Sequence, residues 1–163
     1  MRIFTLIVVS ILLLLVDMTI IPFFGLFGTY GSLLFTFCGL FVILGDYDDA
    51  VVMAMVSGIL QDIFFPYAFG LNALVNLFVF LGITRLGGSL KAGTKAMPVL
   101  IVSAGAAVKN LVIYGVMLIF GYQGNLLSIP IGAAYVLLFG LLIYKLVKKF
   151  KRIPFIKKEW KFQ

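Results

Sequence analysis

Apolar residues run through this chain in long, nearly unbroken stretches, divided at five places by short polar or turn-forming segments. The stretches cover residues 3–21, 25–44, 50–65, 71–84, 98–120 and 126–144. Pro22 with Phe23 and Phe24 closes the first, and the fifth opens at Pro98, a favoured first helical position. A bilayer-spanning helix needs about 20 apolar residues, so the pattern predicts an all-α integral membrane protein, a bundle of about six transmembrane helices. A membrane β-barrel needs segments of alternating polarity instead. The third and fourth stretches are short, rising about 24 Å and 21 Å at 1.5 Å per residue against a hydrocarbon core of about 30 Å. Their link, residues 66–70, is apolar and aromatic. It either sits at the interface or belongs to a re-entrant hairpin, which leaves four full spans plus a loop.

Polar residues inside the apolar runs carry the most information. Residues 58–76 hold Gln61, Asp62, Asn72 and Asn76. A carboxylate at membrane depth is costly and implies a partner or a function. Steps of four back from Asp62 reach Gly58, Ala54 and Ala50, which share one helix face. That face is a strip of small residues ending in an acid, the pattern of a membrane helix packed closely on a neighbour.

Composition agrees with the pattern. The 163 residues are 63% hydrophobic and 12% charged, with mean hydropathy +1.20, whereas soluble domains are roughly a quarter charged. Residues 1–147 are expected to form one polytopic transmembrane domain and 148–163 a basic cytoplasmic tail. Residues 3–16 superficially resemble a signal peptide, but the run continues to Ile21 without a small-residue cleavage pattern, so a retained first span is expected. Cys38 is the single cysteine, which rules out an internal disulfide, and there is no histidine.

The net charge of +7 is unevenly placed, and this changes its meaning from nucleic-acid binding to topology. With the N-terminus inside, twelve of the thirteen Lys and Arg residues fall on inside segments: Arg2, then Arg85, Lys91 and Lys95, then eight in residues 145–163. The thirteenth, Lys109, lies within a span. The positive-inside rule therefore predicts two cytoplasmic termini. The tail, with Phe150, Phe155 and Trp160 among its cations, reads as an anchor on anionic lipid, with a docking site for a cytoplasmic protein as the alternative.

Depths estimated at about 1.5 Å per residue put Asp17, Asp62 and Lys109 about 21, 18 and 16 Å from the cytoplasmic ends of their spans. Asn72 and Asn76 stand one turn apart, and Asn110 neighbours Lys109. Three readings fit these groups: snorkelling or packing hydrogen bonds, a structural pair of Lys109 with Asp62 or Asp17, or an outward-facing polar pocket for a ligand or a partner's span. The acidic turn at Asp46, Asp48 and Asp49 is expected to cap the third helix, with Asp48 and Asp49 at its positive dipole end, rather than to hold a metal. No nucleophile–base pair, zinc-ligand set or phosphate loop is visible, so neither catalysis nor a cofactor is expected.

The sequence Gly58-Ile59-Leu60-Gln61-Asp62, followed after a short gap by Gly70-Leu71-Asn72-Ala73-Leu74, resembles the bacterial rod shape-determining protein MreD family. The resemblance covers most of the chain in size and span layout; its specific motif is confined to Gly58, Asp62, Gly70, Asn72 and nearby apolar positions. It implies a non-enzymatic inner-membrane subunit of the cell-elongation machinery. Such a subunit pairs with an MreC-type bitopic protein and helps connect MreB filaments to peptidoglycan synthases. Asp62 and Asn72 would hold the helical hairpin or shape a partner-facing groove. The family is also similar in fold to the S components of energy-coupling-factor vitamin transporters. A vitamin-capture subunit is thus the alternative, lowered by the lack of any alanine before Ala50 to supply the docking A-x-x-x-A pattern of those proteins' first span.

Overall fold

The computed structural model describes residues 2–25, 28–64, 69–88, 96–122 and 124–153. They form six α-helices: α1 (Arg2–Thr19), α2 (Leu33–Ile43), α3 (Tyr47–Ile63), α4 (Leu71–Gly87), α5 (Ala96–Ile119) and α6 (Ser128–Lys151). A 3₁₀ turn, Ile21–Phe24, follows α1. Helices α1, α5 and α6, of 18, 24 and 24 residues, are long and apolar enough to cross a membrane. The fold is that of a helical membrane protein, with three such helices among the described residues where the hydrophobic pattern predicts about six transmembrane helices, the third and fourth of them short. Helices α3 and α4 have 17 residues each, about 26 Å of rise. The link at 66–70 that bears on a re-entrant hairpin lies largely outside the described residues.

The largest departure from expectation is α2. The pattern predicts a helix over 25–44, but only Leu33–Ile43 is helical, about 16 Å of rise. Gly28 takes the left-handed conformation at φ 74°. Ser32 is extended, and its Oγ accepts from Phe35 N at 3.0 Å, the geometry of a helix N-cap. Gly31 sits so close to Tyr135 of α6 that a Cβ would overlap it, and the Tyr135 hydroxyl donates to the Phe24 carbonyl. Apolar composition hides this stretch, but its glycines and Ser32 mark where helix is disfavoured.

Although short, α2 is the axis of the bundle. It touches each of the other five helices, and every residue from Leu34 to Ile43 is buried. A helix apolar all round belongs inside. Leu34, Phe35, Leu40 and Phe41 fill the centre, and the Phe35 ring meets Phe80 of α4 at 5.2 Å between centroids. The long helices α1, α5 and α6 instead keep broad exposed apolar faces, including Leu12, Leu111 and Leu142.

The strip of small residues behaves as expected. Ala50, Ala54, Gly58 and Asp62 are all buried, and Gly58 lies against Ala73 of α4 with no space for a side chain. Packing of α5 also uses a small residue: a Cβ on Gly105 would stand 2.8 Å from Ile83 Cδ1 of α4. At its other flank, Ser103 Oγ donates to the Ala133 carbonyl of α6 at 2.8 Å.

One end of the bundle is closed by charge. Asp49, in the first turn of α3, pairs with Arg2 of α1 and, at 3.6 Å, with Lys151 of α6. Gly45 leaves the space: a Cβ there would stand 2.5 Å from Asp49 Oδ2 and 2.6 Å from Lys151 Nζ. Asp48 and Asp49 do fall in the first turn of α3, at its positive dipole end, but the Asp49 carboxylate turns sideways to two cations, which corrects the capping role expected of it. Asp46 occupies the cap position without a side-chain cap bond. The start of α1, the start of α3 and the end of α6 therefore share one end.

Helix α6 also runs seven residues beyond the expected end of the sixth span at Tyr144 and through the boundary expected at 147–148. Lys148, Lys149 and Lys151 form its last turn, where cations suit the negative end of the helix dipole. Phe155 and Trp160 of the expected lipid anchor lie outside the described residues.

Candidate functional site

Three breaks in helical structure converge inside the bundle: the end of α3 and the starts of α2 and α4. The first turn of any helix leaves backbone N–H groups without intrahelical acceptors. In a membrane interior, water cannot satisfy them. Each of these two starts is served by a carboxylate from another helix.

At α2 the carboxylate is Asp17 of α1. It accepts from Ser32 Oγ at 2.7 Å, Leu33 N at 2.7 Å and Leu34 N at 3.0 Å. At α4 it is Asp62, from the last turn of α3. Asp62 accepts from Asn72 N at 2.8 Å, Asn72 Nδ2 at 3.1 Å and Ala73 N at 3.0 Å. Both carboxylates are buried, and each sits at the positive end of a helix dipole. Gly70, at φ 95°, supplies the left-handed residue that turns the chain into α4.

Gln61 joins the two halves. Its Oε1 accepts from Lys109 Nζ of α5 at 2.6 Å and from Asn76 Nδ2 of α4 at 3.1 Å, while its Nε2 donates to Ser32 Oγ at 3.2 Å. Asn76 Nδ2 also donates to Ser57 Oγ at 3.0 Å. Lys109 lies over the Phe35 ring, 4.8 Å from its centroid. Asp17, Gln61, Asn76 and Lys109, on four helices, thus share one hydrogen-bonded network through Ser32. Asp62 and Asn72 extend it through the backbone.

Asp17, Gln61, Asp62, Gly70, Asn72, Asn76 and Lys109, all candidates from the sequence, lie here, with Gly58 as the close contact beside the network. Of the three readings open for Lys109, a packing hydrogen bond is what forms, to Gln61; a direct ion pair with Asp62 or Asp17 does not. The physical reason is competition: each carboxylate is held at a helix start by three donors, and Lys109 Nζ donates to the Gln61 amide oxygen instead. Ser32 and Ser57 were not singled out; Ser32 carries the signal of a cap residue just before an apolar run, whereas Ser57 gives none. Asn110 turns away to donate to the Ser128 carbonyl at 3.2 Å.

Beside Lys109 is a cavity of about 70 Å³, walled by Tyr30, Ser32, Phe35, Lys109, Asn110 and Gly132 among others. On the outside of α4 and α5 runs a larger apolar groove of about 550 Å³, lined by Leu74, Phe78, Gly82, Leu86, Ala104 and Val108 among others. Chemically, the network can hold helix ends and position one cation. No family model, curated protein or solved structure matches the chain.

Proposed function

We propose that the chain is a non-catalytic membrane subunit of the bacterial cell-elongation machinery, of the MreD type. It binds an MreC-type bitopic protein in the plasma membrane and helps link cytoplasmic MreB filaments to peptidoglycan synthases. The observation that supports this reading is what the motif residues do. Gly58 admits the α4 backbone, Gly70 turns the chain, and Asp62 receives Asn72 and Ala73. All are spent on holding one helical hairpin, the work of a scaffold. The end closed by Arg2, Asp49 and Lys151 is assigned to the cytoplasmic side, where the tail meets anionic lipid and MreB.

The groove on α4 and α5 is assigned to the partner's single membrane span. It is walled by apolar side chains and small residues, which suits a second helix approaching in lipid. Coexpression with an MreC-type protein and copurification in mild detergent tests the reading. A stable complex is expected; separation of the two would overturn it.

The vitamin-capture alternative draws on the polar cavity at Lys109. Its volume of about 70 Å³ is small beside the roughly 300–1,000 Å³ of drug-sized ligand pockets. Nanomolar binding of a vitamin would favour that alternative.

A further inference from the structure

A second surface groove, of about 390 Å³, lies between α1 and α6. Both helices pack on α2, but among the described residues their backbones do not approach each other. Phe37 of α2 forms the floor, with Val9 and Leu13 on one wall and Ile143, Leu146 and Phe150 on the other. The Phe150 ring meets Phe37 edge-on at 5.6 Å between centroids. Where the groove reaches the charged end of the bundle, its lining includes the exposed Lys149. Lys145 and Arg152 stand one turn to either side of Lys149 on that face of α6. Helix α6 carries no acid, and the acid of α1, Asp17, is at the far end of its helix. At the charged end Arg2, Lys145, Lys148, Lys149, Lys151 and Arg152 outnumber the acids Asp46, Asp48 and Asp49. Asp49 is already taken by Arg2 and Lys151, a pairing that also ties the start of α1 to the end of α6.

We propose that the α1–α6 groove binds one acidic phospholipid, with an acyl chain along its apolar walls and the phosphate at Lys149. The order of chemistry along the groove is that of a lipid. Leu13 lies about 16 Å in from Arg2 at 1.5 Å per residue, and the cation stands at the mouth. The walls decide between lipid and protein. Membrane helices approach one another through small residues, which the α4–α5 groove supplies at Gly82, Ala104 and Gly105. The α1–α6 groove has only branched and aromatic side chains besides Lys149, a poor seat for a helix backbone and a good one for a flexible chain. Its volume of about 390 Å³ falls among the roughly 300–1,000 Å³ of pockets that hold small molecules. Basic side chains near a membrane surface attract anionic lipid in general. One seated molecule goes beyond that attraction, and it does not depend on the scaffold role proposed above.

The test titrates the full chain, purified in neutral detergent, with dioleoyl-phosphatidylglycerol or dioleoyl-phosphatidylcholine and counts bound lipid by native mass spectrometry. One phosphatidylglycerol per chain is expected to bind saturably, at least tenfold more tightly than phosphatidylcholine. Lys149→Gln is expected to lose that preference. Lys148→Gln, the same change of charge at an exposed residue outside the groove lining, is expected to keep it. Val9→Trp, which fills the groove, is expected to weaken phosphatidylglycerol binding at least tenfold. Val8→Trp, at the exposed neighbouring position outside the lining, is expected to leave it unchanged. Equal binding of the two lipids, or equal losses in Lys148→Gln and Lys149→Gln, would show diffuse attraction alone and overturn the proposal. A dimer abolished by Val9→Trp but not by Val8→Trp would place a second copy of the chain in the groove and overturn it as well.

Discussion

Lys109 donates a 2.6 Å hydrogen bond to Gln61, while Asp62, the next residue in the chain, turns the other way to the first turn of α4. The side chain that binds the cation is thus a neutral amide, and the neighbouring acid is a structural cap supplied by another helix. Asp17 repeats the device at α2. Membrane helices that begin inside the bundle need acceptors for their first N–H groups, and both carboxylates provide them.

Replacement of Asp62 is therefore expected to loosen the α3–α4 hairpin. Interhelical hydrogen bonds in membranes average about 0.6 kcal/mol, but bonds to a charged acceptor are stronger, about 1.5–3 kcal/mol. Asp62→Ala is expected to lower stability by about 2–3 kcal/mol. Asp62→Asn keeps one carbonyl acceptor and should lose roughly half as much. Unfolding in detergent, with hydrogen exchange at Asn72 and Ala73, checks this. Wild-type stability and unchanged exchange in both variants would refute the cap.

The charged end makes a separate prediction. Asp49 is buried, and its partners Arg2 and Lys151 have side chains 24% and 22% exposed. The ion pairs fall between exposed ones, worth about 0.2–1 kcal/mol, and fully buried ones, whose breakage costs about 3–5 kcal/mol. Asp49→Ala is expected to cost about 1–2 kcal/mol. Adding Lys151→Met to that variant is expected to cost less than Lys151→Met does alone. A double-mutant cycle measures the coupling, and strictly additive losses would show that the contact contributes nothing.

The proposed sidedness makes a third prediction. Tyr122, in the turn after α5, is exposed and lies at the opposite end of α5 from the α4–α5 connection. Tyr122→Cys is expected to react with an impermeant thiol reagent only from the non-cytoplasmic side, and buried Cys38 gives little background. Reaction only from the cytoplasm would invert the topology.

What the sequence made legible, and what it hid, has a physical pattern. Helices α5 and α6 were plain because long apolar runs bounded by turns have few other interpretations. The face through Ala50, Ala54, Gly58 and Asp62 was readable because 3.6-residue periodicity survives in the sequence. The unwound approach to α2 was obscured because inside a bundle a loop is as apolar as a helix. The partners of Lys109 and Asp49 were unreadable for a different reason. Asp62 is one residue from Gln61, and depth along a span cannot tell which of two neighbours faces α5. Likewise Asp49 reads as a local cap in the sequence because its cations, Arg2 and Lys151, are 47 and 102 positions away in the chain.

The scaffold reading is tested most directly at Gly82. A Cβ added there meets no atom within 4 Å, and the same holds for Gly115. Gly82 lines the α4–α5 groove while Gly115 does not. Gly82→Leu and Gly115→Leu are thus both expected to fold normally, and they differ only in whether the groove is blocked. Each variant is coexpressed with the MreC-type partner and its copurification quantified against wild type. The account predicts at least a tenfold loss of partner for Gly82→Leu and none for Gly115→Leu. Full retention of the partner by Gly82→Leu would contradict it.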